Sequence, residues 1–258
     1  MNNKLALLIG IDYVGDLYQL SGCVNDIDNM NSLIKTLGFN NIKILKDRNN
    51  RDKKTYPYAD NIINELKNVC HNKKNSQIYV HYAGHGIGVM DDNGDEKDGK
   101  DECLVPLDYH KTLIRDDLIA SILSKLDKSS TLHISFDCCH SGSICDLPYN
   151  FVPDGNKIVK TYEKDCNKEL YKNSGKIIMI SGCLDNQTSK EVSWKTSEGA
   201  FTGSLRRYLT STKNNNCYDM LMELNKTIKQ KGVRNQNIKI STNFDMSVDD
   251  LKKLKFLG

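Results

Sequence analysis

The sequence predicts an α/β domain, with six strands in one mostly parallel central sheet flanked by helices. Three observations carry that prediction. Short apolar runs rich in β-branched residues alternate with segments of helical period. The first run is continuous and not alternating, the pattern of a strand buried on both faces. Finally, 258 residues are enough for one large domain with a sizeable core.

Lys4 to Ile11 is that first run. Gly22 to Asp26 leads into Ile27, Met30, Leu33, Ile34 and Leu37, a helical spacing that Gly38 closes as a C-cap. Ile42 to Leu45 reads as a second strand. A helix from about Tyr58 to Cys70 (Ile62, Ile63, Leu66, Val69) joins it to a third strand at Ser76–Tyr82. From Asp91 to Glu102 the chain turns strongly acidic, the composition of a solvated loop or hairpin tip. Glu96 stands where an EF-hand requires Gly, which excludes that calcium loop. Cys103 to Asp108 returns toward the core, and Asp116 and Asp117 open a helix whose positive end favours acids. Thr131 to Phe136 is the fourth strand. Residues 143 to 174 lose periodicity, gather Gly, Pro, Asn and Lys, and read as a long exposed connection. Lys176 to Ser181 is the fifth strand. Helices follow from near Gly199 and from Tyr218 to Lys229, before a sixth strand at Ile238–Ser241.

Composition narrows the function. The 36 basic and 33 acidic residues leave a net charge of +3, which gives no electrostatic case for nucleic acid or an anionic membrane. No apolar run approaches the ~20 residues that span a bilayer. The N-terminal run is short and lacks a cleavage site, so it reads as a strand and not a signal peptide. Nine cysteines, an odd number in a chain of this size, point to reduced thiols and a cytoplasmic location. His81, His85, Cys138, Cys139 and His140 could ligate zinc. However, no second Cys-x-x-Cys pair accompanies them, and the two His follow a strand instead of sharing a helical face.

Two turns concentrate the chemistry. His81-Tyr82-Ala83-Gly84-His85-Gly86 follows the third strand, and Asp137-Cys138-Cys139-His140-Ser141-Gly142 follows the fourth. Ligands of an open parallel sheet bind at the carboxyl ends of its strands. Neighbouring strands would therefore bring His85 to Cys139. A thiolate can attack a carbonyl, and a nearby His both favours the thiolate and later protonates the leaving amine. Gly86 lets a backbone N–H approach an oxyanion, with the Cys139 N–H as a second donor.

Together with Ala6–Tyr13, Leu20–Asp26, Ser181–Cys183, Asp185, Gln187–Ser189 and Gly199–Thr202, these turns closely resemble the metacaspases. The resemblance runs in family order from residue 5 to about 210. It implies a caspase-like fold and a cysteine endopeptidase that cuts after Arg or Lys and depends on calcium. By position it makes Cys139 the nucleophile, His85 the base and Gly86 an oxyanion donor. It puts the substrate pocket on Cys23, Asp26 and Asp137, with Ala83 where the family has a pocket Ser. At Asp26 a helix-capping role competes with the pocket role. The resemblance also implies a calcium site at Asp101, Asp116, Asp117 and Asp146, four carboxylates suited to a hard cation.

The expected organisation is one catalytic domain over 1–258. Within it, 1–142 is large-subunit-like, 143–174 a linker and 175–258 small-subunit-like, as in the first class of the family without its prodomain. Expected partners are protein or peptide substrates with Arg or Lys before the scissile bond, and the expected state is a monomer. Autocleavage would fall in the Lys-bearing linker. Two alternatives compete with this reading. A true caspase would need a basic pocket, and an inactive scaffold on the same fold would serve only for binding.

Overall fold

A computed structural model describes residues 3–90, 100–139, 141–163, 168–182, 199–211, 216–231 and 238–257. In chain order the strands are β1 (Asn3–Gly10), β2 (Asn41–Lys46), β3 (Ser76–Ala83), β4 (Gly86–Met90), β5 (Lys100–Leu104), β6 (Ile114–Arg115) and β7 (Thr131–Asp137). They continue with β8 (Tyr149–Asp154), β9 (Lys157–Tyr162), β10 (Lys176–Ser181) and β11 (Lys239–Thr242). The α-helices are α1 (Cys23–Thr36), α2 (Ala59–Cys70), α3 (Asp116–Leu123), α4 (Ala200–Ser211) and α5 (Cys217–Gln230).

The main sheet has eight strands in the order β2-β1-β3-β7-β10-β11-β8-β9. The six strands read from the sequence are its first six in space, and β2, β1, β3, β7 and β10 run parallel. Two further strands correct the count. Residues 143–174, read as a loose connection, contain the β8–β9 hairpin, and β8 pairs antiparallel with β11. The turn is Asp154-Gly155-Asn156, with Gly155 at φ +60, the left-handed conformation such a turn needs. As a result β11 lies inside the sheet. The edge strand on this side is β9, which carries Lys157 and Lys160, charges that discourage further strand pairing.

Strand alternation builds two cores. On β1, Leu5, Leu7 and Ile9 face α2 and α3, packing with Ile62, Leu66, Ile119 and Ile122. Ala6 and Leu8 face the other way, toward α1, α4 and α5, and join Ile27, Met30, Phe201, Leu205 and Leu221. β10 divides likewise, Ile177 and Met179 against Ile178 and Ile180. Each fully buried aliphatic side chain contributes about 1.5–3 kcal/mol, so both faces fix the sheet. A small antiparallel sheet, β4-β5-β6, stands beside the end of β3, with Gly86 opposite Leu104.

Candidate active site

β3 and β7 are neighbours, and Ala83 stands opposite Asp137 in their parallel register. His85 and Cys139 each follow two residues beyond that pair, so both emerge at the same rim of the sheet. Their turns touch. A side-chain carbon at Gly86 would stand 2.1 Å from the Cys139 carbonyl oxygen and 3.2 Å from the Cys138 sulfur. Only glycine admits that approach. Of the two adjacent thiols, Cys138 is buried and Cys139 partly exposed. No disulfide links the described cysteines.

The two histidines of the first turn have different surroundings. His81 is fully buried, its Nδ1 2.6 Å from the Ser135 hydroxyl, and burial pushes its pKa down to about 3. It is therefore a neutral interior group. His85 reaches the rim, with Nε2 2.7 Å from the carbonyl oxygen of Tyr18. A carbonyl can only accept, so Nε2 carries a proton and Nδ1 is the nitrogen that can take one up.

Next to this pair two carboxylates converge. Gly199, just ahead of α4, donates its N–H to both oxygens of Asp26 at 3.0 and 3.1 Å. Thr202, in the first turn of α4, donates its N–H at 3.1 Å and its hydroxyl at 2.7 Å to Oδ2 of Asp137. Asp26 is 2% exposed and Asp137 9%. The start of a helix offers unpaired N–H groups and positive potential, which suits two acids in one place. Asp26 lies in the first turn of α1, whose N-cap is Gly22, and its carboxylate serves α4. Behind Asp137 a buried polar chain continues through Thr202, His81, Ser135 and Tyr79. Cys23, the first residue of α1, is buried close by in sequence.

Comparison with known proteins places the chain in a family. A profile described as "Metacaspase, peptidase C14 domain" matches residues 4–148. Metacaspase-2 of Trypanosoma brucei brucei is 34% identical over 244 residues, covering 89% of this chain and 70% of its own. Metacaspase III c of Phaeodactylum tricornutum is 44% identical over 160 residues, covering 59% of this chain and 47% of its own. The chain belongs to the metacaspase family. It is accordingly a cysteine-type endopeptidase. Solved structures agree on the caspase-like fold. A protein of Geobacter sulfurreducens superposes with a TM-score of 0.66 at 23% identity, covering 96% of both chains. Caspase-1 of Spodoptera frugiperda does so at 0.54 and 12% identity, covering 93% of this chain and 86% of its own.

The remaining acids of this metacaspase lie on and around the small sheet. Asp101, on β5, is buried and ion-paired with Arg115. Asp116 is buried at the start of α3. Its oxygens accept the N–H groups of Glu102 at 2.7 Å and Asp117 at 2.9 Å, and burial raises its pKa. Asp117 is exposed. Asp146 sits in a turn at φ +46, its N–H donated to the Ser143 carbonyl. Cys145 lies near both Asp146 and Asp116, which join its burial in raising its pKa. The donors are hard oxygens, right for calcium. Among the described residues no three acidic, His or Cys side chains converge to hold a metal.

His140, Cys183, Asp185 and Gln187–Ser189 fall outside the described residues. The sequence reading missed Gly199 and Thr202 as partners of the acids. It also missed Ser135, although a serine inside an otherwise buried strand signals a hydrogen-bond partner on that face.

Proposed function

We propose that this metacaspase cleaves peptide bonds after Arg or Lys, with Cys139 as nucleophile and His85 as base. The reading rests chiefly on the acid pair beside the rim. Asp26 and Asp137 approach one another at Gly199, and Asp137 is two residues from Cys139. Two carboxylates this close favour a guanidinium or ammonium between them and reject an acidic side chain. Cys23, which opens α1, would line the same pocket.

In the proposed reaction the Cys139 thiol gives its proton to Nδ1 of His85 and the thiolate attacks the substrate carbonyl. The N–H groups of Gly86 and Cys139 stabilise the oxyanion. His85 then protonates the leaving amine, and water, activated by the same imidazole, hydrolyses the thioester. Calcium control through Asp101, Asp116, Asp117 and Asp146 is part of the proposal. The ion would supply positive charge to Asp116, whose charged form burial penalises. A monomer is also proposed, because β8 covers the flank of β11 that would pair with a second copy.

One assay tests the pocket and the calcium control. Peptides ending in Arg, Lys or Asp before the reporter group are incubated with the enzyme, with and without calcium. Cleavage of the Arg and Lys peptides only, lost on chelation, is expected. Cleavage of the Asp peptide would overturn the pocket assignment, and full activity in chelator would overturn the calcium assignment.

A further inference from the structure

His85 is held by two buried phenols. Tyr13, in the loop after β1, is 1% exposed and has φ +52, a left-handed conformation that is strained for a bulky side chain. Its hydroxyl accepts the His85 N–H at 2.9 Å and donates to the Val105 carbonyl at 2.7 Å. Its ring lies 4.8 Å from the imidazole, centroid to centroid, tilted by 37°. Tyr82, at the end of β3, is fully buried and donates its hydroxyl to the His85 carbonyl at 2.8 Å. The Val105 N–H reaches that same carbonyl at 3.2 Å. The phenol oxygens are 3.4 Å apart.

Both polar backbone groups of His85 are therefore bonded to side chains that cannot move without disturbing the core. Burial pushes both phenols above their ordinary pKa, so they stay protonated at any working pH. Tyr13 and Tyr18 belong to the same loop, so one segment fixes both the backbone and the Nε2 of His85. Strain at a residue that touches the candidate base is the kind of strain a fold retains for function.

We infer that Tyr13 and Tyr82 are positioning residues for His85, holding its imidazole at the angle required for proton exchange with Cys139. The inference rests on the assignment of His85 as base. Neither phenol meets the substrate. They act by keeping the base within reach of the thiol, where a misplacement of about 1 Å costs on the order of a hundredfold in rate.

The test removes each hydroxyl in turn, with a variant of the base beside them. Tyr13→Phe, Tyr82→Phe and His85→Ala are compared with the parent enzyme in kcat per titrated active site, KM, and the pH profile of Cys139 alkylation by iodoacetamide. The expected result for Tyr13→Phe is a loss of about tenfold or more in kcat with KM unchanged, and an alkylation midpoint moved to higher pH. Tyr82→Phe is expected to shift both readouts the same way, and it stands in should Tyr13→Phe fail to fold. Parent values of kcat and alkylation in a folded hydroxyl variant would overturn the inference, whatever its Tm. Parent values in His85→Ala would instead overturn the assignment of the base.

Discussion

Asp26 and Asp137 meet at a single glycine. A side-chain carbon on Gly199 would stand 2.4 Å from Oδ2 of Asp137 and 2.8 Å from Oδ2 of Asp26. The carboxylates therefore flank one short stretch of backbone, which α4 supplies with N–H donors. Gly199→Ala is expected to push them apart and lower kcat/KM on Arg peptides at least tenfold, mainly through KM. Thr202→Val, which removes one hydroxyl from Asp137, is expected to lower it by about 1 kcal/mol, roughly fivefold. Steady-state kinetics on Arg and Lys peptides measure both, and an unchanged KM in Gly199→Ala would count against the acid pair as the pocket.

The adjacent thiols allow a clean contrast. Cys138 is buried against Gly86, whereas Cys139 is partly exposed at the rim. Cys139→Ala is expected to abolish turnover with the Tm retained. Cys138→Ala is expected to keep turnover and to lose about 1 kcal/mol of stability from the small cavity left behind. Active-site titration together with thermal unfolding decides the matter, and the opposite pattern would reassign the nucleophile.

The parts of the fold that were legible in the sequence are those set by strong apolar pattern. Leu5 to Ile9 and Ile177 to Ile180 contact a core on both faces, so their runs are unbroken. The β8–β9 hairpin was not read because Asn150 and Pro153 interrupt the apolar pattern of β8, and β9, the edge strand, holds Lys157 and Lys160 and is largely uncovered. The two rims could be placed from Gly-flanked motifs after strands. The partners of Asp26 and Asp137 could not, because Gly199 and Thr202 reach them through the tertiary docking of α4. The clamp of Tyr13 and Tyr82 on His85 was hidden for the same reason: three separate segments build it.

Arg115 bears on the calcium proposal. Its guanidinium pairs with the buried Asp101, so a cation bound there must compete with it. Arg115→Ala removes the competitor and leaves a buried carboxylate without its counter-charge, which is destabilising in the absence of an ion. The variant is expected to have a lower Tm than the parent in chelator, a larger rise in Tm on adding calcium, and half-maximal activity at a lower calcium concentration. Thermal shift and activity titrations read these effects, and a calcium response identical to the parent's would remove Asp101 from the site.

Buried histidines set the response to acid. Burial pushes His81 to about 3 and His133 to about 4, from an ordinary 6.5. Below pH 6.5 the unfolded chain binds protons at both residues that the folded chain refuses. Stability is therefore full above about pH 6.5 and falls as the pH drops toward the folded values, by up to about 1.4 kcal/mol per pH unit for each histidine. His133 packs edge-on against Phe256 with its Nδ1 lacking a hydrogen-bond partner, so His133→Leu removes one titrating group with little loss of packing. Urea unfolding at pH 7, 6 and 5 is expected to show a slope of stability against pH that is shallower in His133→Leu by up to one proton. Equal slopes in the two proteins would mean that His133 is protonated in the folded state, which its burial opposes.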